Sequence, residues 1–222
     1  MGKHPPLEWS AIDTVLLDMD GTLLDLHFDN HFWLDLVPKH YAALHGITVA
    51  ESLARLRLKF RAVEGTLDWY STDYWSRELG FDVMTVKQDV RERVTFQPGA
   101  ERFLGRLATL GKRRVLLTNA HPRVLAIKDG QVGLARHFEV MYSTHPFGLP
   151  KEHPEFWGRF QVREPFVAGR TLFADDSVPV LRAAQAFGVR WLCQILHPDS
   201  AQARSDAAEF AAVDYIAELL AP

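Results

Sequence analysis

The stretch Thr14-Val15-Leu16-Leu17-Asp18-Met19-Asp20-Gly21-Thr22-Leu23-Leu24-Asp25 decides the fold. Its first residues are a short apolar run that stops abruptly at acids and a glycine, as a buried strand does when it feeds a loop. Working outward, Arg114–Asn119, Phe138–Ser143, Thr171–Asp175 and Val189–Cys193 repeat the pattern, and segments of helical spacing separate them. Pro98 and Gly111 bracket a helix with Phe103, Leu104, Leu107 and Leu110 on one face. Ser177 and Pro179 open another, with Val180, Leu181, Ala184 and Phe187 inward, and Gly188 closes it. Strand and helix alternating in this way predict an α/β fold: a parallel sheet wrapped by helices, with ligands held where strands end at their carboxyl side. Asp18, Thr118 and Asp175 stand at three such ends.

From about Asp25 to Gln97 the strand-like runs vanish and apolar residues recur at helical intervals. Leu53, Leu56, Phe60 and Val63 form one stripe, and Val83, Val86, Val90 and Val94 another. Pro38 is expected to break or kink the first helix, with Gly46, Gly65 and Gly80 marking turns. The segment is an inserted helical module over 25–97. It enters near Leu24 and leaves near Pro98, two adjacent crossings able to act as hinges.

Length and composition fit this picture. The 222 residues, 47% of them hydrophobic and 24% charged, are enough for a core plus a small module and exclude disorder as the main state. A net charge of −3 offers no attraction for polyanions, so neither nucleic acid nor an anionic membrane is an expected partner. Met1-Gly2-Lys3-His4-Pro5-Pro6 lacks the apolar run of a signal peptide, and Pro6 spoils a myristoylation motif. The lone Cys193 cannot form an intrachain disulfide, and the expected location is the cytoplasm.

Chemistry concentrates after the first strand. Asp18 and Asp20 lie two positions apart on backbone leaving an extended strand, where Gly21 permits a sharp turn, and without a cation they would repel each other. Clustered carboxylates suit Mg²⁺, which often shares its oxygen ligands with a substrate phosphate, and Asp175-Asp176 could complete the set. Phosphoryl transfer needs a nucleophile, an acid and base, and groups on the equatorial oxygens. Asp18 can attack phosphorus; Asp20 can protonate the leaving oxygen and later deprotonate water; Thr118 and Lys151 can hold phosphoryl oxygens.

In these residues the chain resembles the haloacid dehalogenase (HAD) superfamily of phosphohydrolases. Asp18-Met19-Asp20-Gly21-Thr22 is similar to its first motif, Leu117-Thr118-Asn119 to its second, Pro150-Lys151-Glu152 to its third and Phe173-Ala174-Asp175-Asp176-Ser177 to its fourth, in order along the chain. The resemblance implies a Rossmann-like HAD core over 1–24 and 98–222 and an inserted α-helical (C1-type) cap over 25–97. It implies a phospho-Asp18 intermediate, phosphate binding by Thr118, Asn119 and Lys151, and Mg²⁺ held by Asp18, the Asp20 carbonyl and Asp176, with Asp175 close by. Within the superfamily, Asp13–Trp33, Asp68–Gly80, Leu116–Pro122, Ser143–Glu152 and Thr171–Ser177 are similar to bacterial 5′-nucleotidases that act on GMP and IMP. An acid at Asp20 fits an oxygen leaving group, since a halide needs no protonation. Sugar-phosphate phosphatases and phosphomutases share the motifs and remain alternatives, as does a catalytically silent module that keeps the fold to bind a partner.

The insert is rich in aromatics: Phe28, Phe32, Trp33, Trp69, Tyr70, Tyr74 and Trp75. Most are expected in the module's own core, with Trp69 and Tyr70 the candidates to face a small phosphomonoester substrate and stack on its base. Asp25, His27, Asp29 and Asn30 near the crossings either contact ribose or base edges or simply cap a solvated hinge. Arg55, Arg57, Lys59 and Arg61 are expected on a solvated helix face. His121, His145, His153 and His197 all precede proline in loops, and His121, trailing Asn119, is the one expected near the phosphate.

Overall fold

Both faces of a central parallel strand must be covered, and the apolar run at Thr14 shows how. In the computed structural model, which describes residues 7–206 and 208–220, Thr14–Leu17 form β1 with every side chain buried. The terminal stretch Met1–Pro6 lies outside the described residues. Val15 and Leu17 belong to one apolar cluster and Leu16 to the other, across the sheet. The remaining strands are β2 (Arg113–Thr118), β3 (Val140–Ser143), β4 (Thr171–Asp175), β5 (Trp191–Ile195) and β6 (Ala212–Val213). They form one sheet in the order β3-β2-β1-β4-β5-β6, all pairs parallel. The chain runs outward from β1 to β3 and then returns to the other side of β1 as β4. This creates a switch point between β1 and β4, where crevices open at the carboxyl ends. Leu17 lies beside both Leu116 and Ala174, so the residues that follow the three strands arrive at the same edge.

The helical insert begins with α1 (His27–His31), a π-helical turn (Phe32–Leu36) and α2 (Val37–His45). These form one continuous run, so Pro38 does not break the helix. It sits in the first turn of α2, where a missing N–H costs least, directly after the widened turn in which the Val37 N–H donates to the Phe32 carbonyl. Then come α3 (Val49–Val63), opened by a capping box between Thr48 and Glu51, α4 (Leu67–Tyr70), α5 (Thr72–Leu79) and α6 (Val83–Asp89). Phe32, Val37, Tyr41, Leu56, Trp75, Leu79 and Val83 form the insert's own core. The valine stripe expected over 83–94 is divided: Val83 and Val86 pack in the insert, while Val90 and Val94, past the end of α6, join the main core. Arg55, Arg57 and Arg61 are exposed as expected, and Lys59 pairs with Glu78 at 2.9 Å.

In the main unit, α7 (Ala100–Thr109) buries Phe103, Leu104 and Leu107 against one sheet face, but Leu110 falls beyond its last turn and is exposed. On that side α8 (Pro122–Val132) follows β2. The opposite face carries α9 (Phe156–Arg163) and α10 (Val178–Phe187), with Phe156, Trp157, Phe160, Val180, Leu181 and Ala184 buried. The two crossings into and out of the insert are paired: Leu24 bridges Phe96, Asp25 N–H donates to the Thr95 carbonyl at 3.0 Å, and Gln97 N–H donates to that of Leu23 at 2.8 Å.

Candidate active site

Each acid of the site stands where a strand runs out of ladder. Asp18 follows β1, buried, and its backbone N–H still donates to the Ala174 carbonyl at 3.1 Å. Asp175 ends β4, and Asp176 follows it across the switch point. Gly21, at φ +84°, turns the chain so tightly that an added Cβ would lie 2.8 Å from the Asp176 carboxyl carbon. Glycine is required there by both backbone and space.

Lys151 brings these acids together. Its ammonium donates to Asp18 Oδ1 at 2.5 Å, to Asp175 Oδ2 at 2.7 Å and to the Leu117 carbonyl at 3.2 Å. Such a cation is fully paired, and burial's tendency to lower its pKa is overcome by Asp175 and Asp18, which raise it. Asn119 fixes the loop that carries it, accepting from the Lys151 backbone N–H at 2.9 Å and donating to Glu152 Oε2 at 2.9 Å. Thr118, buried at the end of β2, accepts the Ala120 N–H at 3.0 Å and lines the cavity.

Asp18, Asp175 and Asp176 offer carboxylate oxygens that lie within 4.8 Å of one another. Burial pushes the Asp18 carboxyl up to about 7, with Asp175 adding to the rise and Lys151 opposing it. Asp176 is driven well above the ordinary carboxylate range by burial and by its two acidic neighbours. An all-oxygen donor set whose members resist ionising together is the environment a hard divalent cation relieves, so these residues fit a Mg²⁺-type ion. Asp175 is the least free of the three, because Ser177 N–H takes its other oxygen at 2.8 Å. The Asp20 carboxylate is not in this group, which leaves its backbone carbonyl as the part able to serve a metal.

The Asp20 side chain points to a different partner. Its Oδ1 accepts from Lys128 of α8, and burial raises its pKa to about 6 against the pull of that lysine. Lys128 also donates to Asp29 Oδ2 at 2.5 Å, and Lys87 of α6 donates to Asp29 Oδ1 at 2.5 Å. Burial opposes ionisation of Asp29, yet the two lysines together hold it at about 2. Sequence pattern carries only an indirect signal for these two lysines. Each is four residues after a buried valine on its helix, Val124 or Val83, so a lysine occupies an apolar face.

A cavity of about 370 Å³ lies above these groups. The main unit contributes Asp18, Asp20, Thr118, Asn119, Lys151 and Asp176, and the insert contributes Trp33, Phe60, Trp69, Tyr70 and Trp75. Trp69 and Tyr70 thus both reach the site. The Tyr70 hydroxyl donates to Glu152 Oε1 at 3.0 Å, a contact from insert to main unit. Asp29 and Asn30 line the cavity, but Asn30 donates to Asp199 at 2.6 Å, and Asp25 accepts from the backbones of His27 and Ser200 where the insert joins the main unit. His121 does not line the cavity; it caps α8, packs edge-on to His145 at 4.8 Å and lies 3.6 Å from Asp73 of the insert.

Residues 12–188 match the family of haloacid dehalogenase-like hydrolases. The chain belongs to that family. It is 44% identical over 197 residues to the GMP/IMP nucleotidase YrfG of Escherichia coli, covering 89% of each chain. Among solved structures it resembles a HAD phosphatase from Thermococcus onnurineus, with a TM-score of 0.78 and 18% identity over 94% of this chain and 96% of that one. An L-2-haloacid dehalogenase from Xanthobacter autotrophicus shares the fold at a TM-score of 0.61 and 17% identity, over 94% of this chain and 96% of that one. The α/β Rossmann-like HAD core is therefore established, and the chain is an enzyme, a HAD phosphohydrolase; the silent-module alternative falls away. Among the described residues no helix is long and apolar enough to cross a membrane.

Proposed function

We propose that this HAD phosphohydrolase removes phosphate from purine nucleoside 5′-monophosphates such as GMP and IMP in the cytoplasm, using Mg²⁺ and a phospho-Asp18 intermediate. One observation carries it: a single cavity joins the Asp18–Lys151–Asp176 floor to a wall of Trp33, Phe60, Trp69, Tyr70 and Trp75. The floor suits a phosphoryl group, and the aromatic wall suits a flat base. The identity to a GMP/IMP nucleotidase supports the same substrate class. In this division of labour residues 1–24 and 98–222 perform the chemistry, and residues 25–97 are the cap that selects the substrate.

Asp18, Asp176 and the Asp20 carbonyl would hold the ion, with Asp175 bracing Lys151 beside them. Bound there, Mg²⁺ neutralises charge on the phosphoryl oxygens and lets the carboxylates ionise together. A carboxylate oxygen of Asp18 attacks phosphorus, the bond to the ester oxygen breaks, and Asp20 gives that oxygen its proton. Thr118 and Lys151 steady the phosphoryl oxygens, with Asn119 holding the lysine's loop. Water then attacks phospho-Asp18, Asp20 takes the proton, and inorganic phosphate leaves with Asp18 restored. Closure of the cap over bound substrate would expel bulk water and strengthen each of these interactions.

The test is phosphate release from a panel of nucleotides and sugar phosphates, with and without a chelator. GMP and IMP are expected to lead, and activity is expected to vanish with the chelator. Asp18→Asn is expected to lose on the order of 10³-fold or more in turnover while keeping the fold by circular dichroism. A broad sugar-phosphate profile would remove the nucleotide preference; an active Asp18→Asn enzyme would remove the nucleophile.

A further inference from the structure

Four charged side chains alternate in sign from the cap to the acid–base residue: Lys87, Asp29, Lys128 and Asp20. Lys87 and Lys128 are each only 1% exposed. Placing two ammonium groups out of water is costly even when paired, and pairs of this kind often add little net stability. Stability alone therefore does not account for the arrangement, and its endpoint suggests what does.

We infer that Lys128 is a positioning residue for Asp20, and that Asp29 and Lys87 of the cap hold Lys128 to that task. The inference rests on the phosphohydrolase chemistry proposed above. The terminal torsion of an aspartate is broad and two-fold, so a carboxylate with no fixed partner does not present one oxygen to a reacting atom. Lys128 takes Oδ1 of Asp20 and leaves Oδ2 as the oxygen that exchanges the proton. Lys128 in turn needs restraint, because a free ammonium beside this cavity would be drawn to the phosphoryl group or to Asp18. Asp29 supplies that restraint at 2.5 Å. Lys87 holds Asp29 from the other side, itself seated 4.8 Å from the Phe28 ring centre and 4.5 Å from that of Phe32. Asp29 and Lys87 come from α1 and α6, so the cap takes part in orienting the acid as well as in enclosing the substrate.

Leaving-group dependence separates positioning of the acid from mere support of the fold. An alkyl phosphate such as IMP needs its leaving oxygen protonated, whereas p-nitrophenyl phosphate releases a stable phenolate and does not. For Lys128→Met, kcat/KM on IMP is expected to fall roughly 10²-fold and on p-nitrophenyl phosphate by less than about tenfold, the same selectivity as Asp20→Asn. Adding Lys128→Met to Asp20→Asn is expected to cost little more, because both changes remove one function. Asp29→Asn and Lys87→Met leave Lys128 in place and are expected to show the same selective loss to a smaller degree, which decides the matter should Lys128→Met fail to fold. Equal losses on both esters in these variants, or full additivity with Asp20→Asn, would overturn the role of Lys128. A wild-type enzyme inert toward both esters would overturn the phosphohydrolase chemistry itself, and a separate outcome thus marks each failure.

Discussion

Gly21 shows how a single residue can serve backbone and site at once. Its φ of +84° is unfavourable for any side chain, and a Cβ there would lie 2.8 Å from both Cγ and Oδ2 of Asp176 and 2.9 Å from Cβ of Pro198. Gly46, at φ +62° with nothing within 4 Å of its virtual Cβ, is the natural control. Gly46→Ala pays only the left-handed backbone, about 1 kcal/mol, and leaves activity unchanged. Gly21→Ala pays that and must also displace a carboxylate proposed to hold Mg²⁺. A larger loss in urea denaturation and a raised Mg²⁺ concentration for half-maximal activity are the expected results. Equal stability losses and equal Mg²⁺ requirements in the two variants would mean that Asp176 yields without consequence.

At the scale of elements, two of the contacts between the helical insert and the main unit differ in magnitude. Asp73 of α5 pairs with Arg123 at 3.3 Å, but the side chains are 59% and 53% exposed, where ion pairs contribute under about 1 kcal/mol. Tyr70 is half-buried, and its hydroxyl reaches Glu152, which holds Asn119 and through it the backbone of Lys151. Asp73→Ala is therefore expected to change kcat/KM by no more than about twofold. Tyr70→Phe, losing a hydrogen bond to a charged group worth about 1.5 kcal/mol, is expected to lower it about tenfold. Steady-state kinetics on IMP check both, and the reverse ranking would place the working contact at Asp73. These elements also mark what could be read in advance. The strands ending at Asp18, Thr118 and Asp175 were legible because both sheet faces are covered and the apolar runs are unbroken. The short β6 has only two residues, too few for any periodicity, and the π-turn before Pro38 has no pattern of its own. Lys87 and Lys128 are illegible in the sequence for another reason. A lysine is read by default as solvent-facing, and only the partners Asp29 and Asp20, far away in sequence, make its burial possible.

Charge at the scale of the whole molecule is nearly balanced, at −3 over 222 residues, yet the balance is not uniform. The inner site gathers Asp18, Asp20, Asp29, Asp175 and Asp176 around Lys87, Lys128 and Lys151: five carboxylates against three ammonium groups, an excess of two negative charges when all are ionised. One divalent cation cancels that excess. Without it, burial first and the neighbouring carboxylates second favour the protonated forms, pushing Asp18 up to about 7, Asp20 to about 6 and Asp176 well above the ordinary range. A carboxyl whose folded pKa is raised contributes stability that is fully present below its unfolded value near 3.8 and lost as pH rises through the folded value. Metal-free protein should therefore lose this contribution between about pH 4 and pH 7. Protons and Mg²⁺ compete for the same oxygens, so the ion can bind well only where the protons have left. The difference in Tm between Mg²⁺-loaded and chelated protein is accordingly expected to be small at pH 5 and to grow through pH 7.5. Taking the difference at each pH cancels contributions from the surface carboxylates, which both samples share. A difference that stayed constant or shrank as pH rose would mean that the ion does not sit among Asp18, Asp175 and Asp176, and the Asp18→Asn protein, with one competing carboxylate removed, should show a flatter dependence than the wild type.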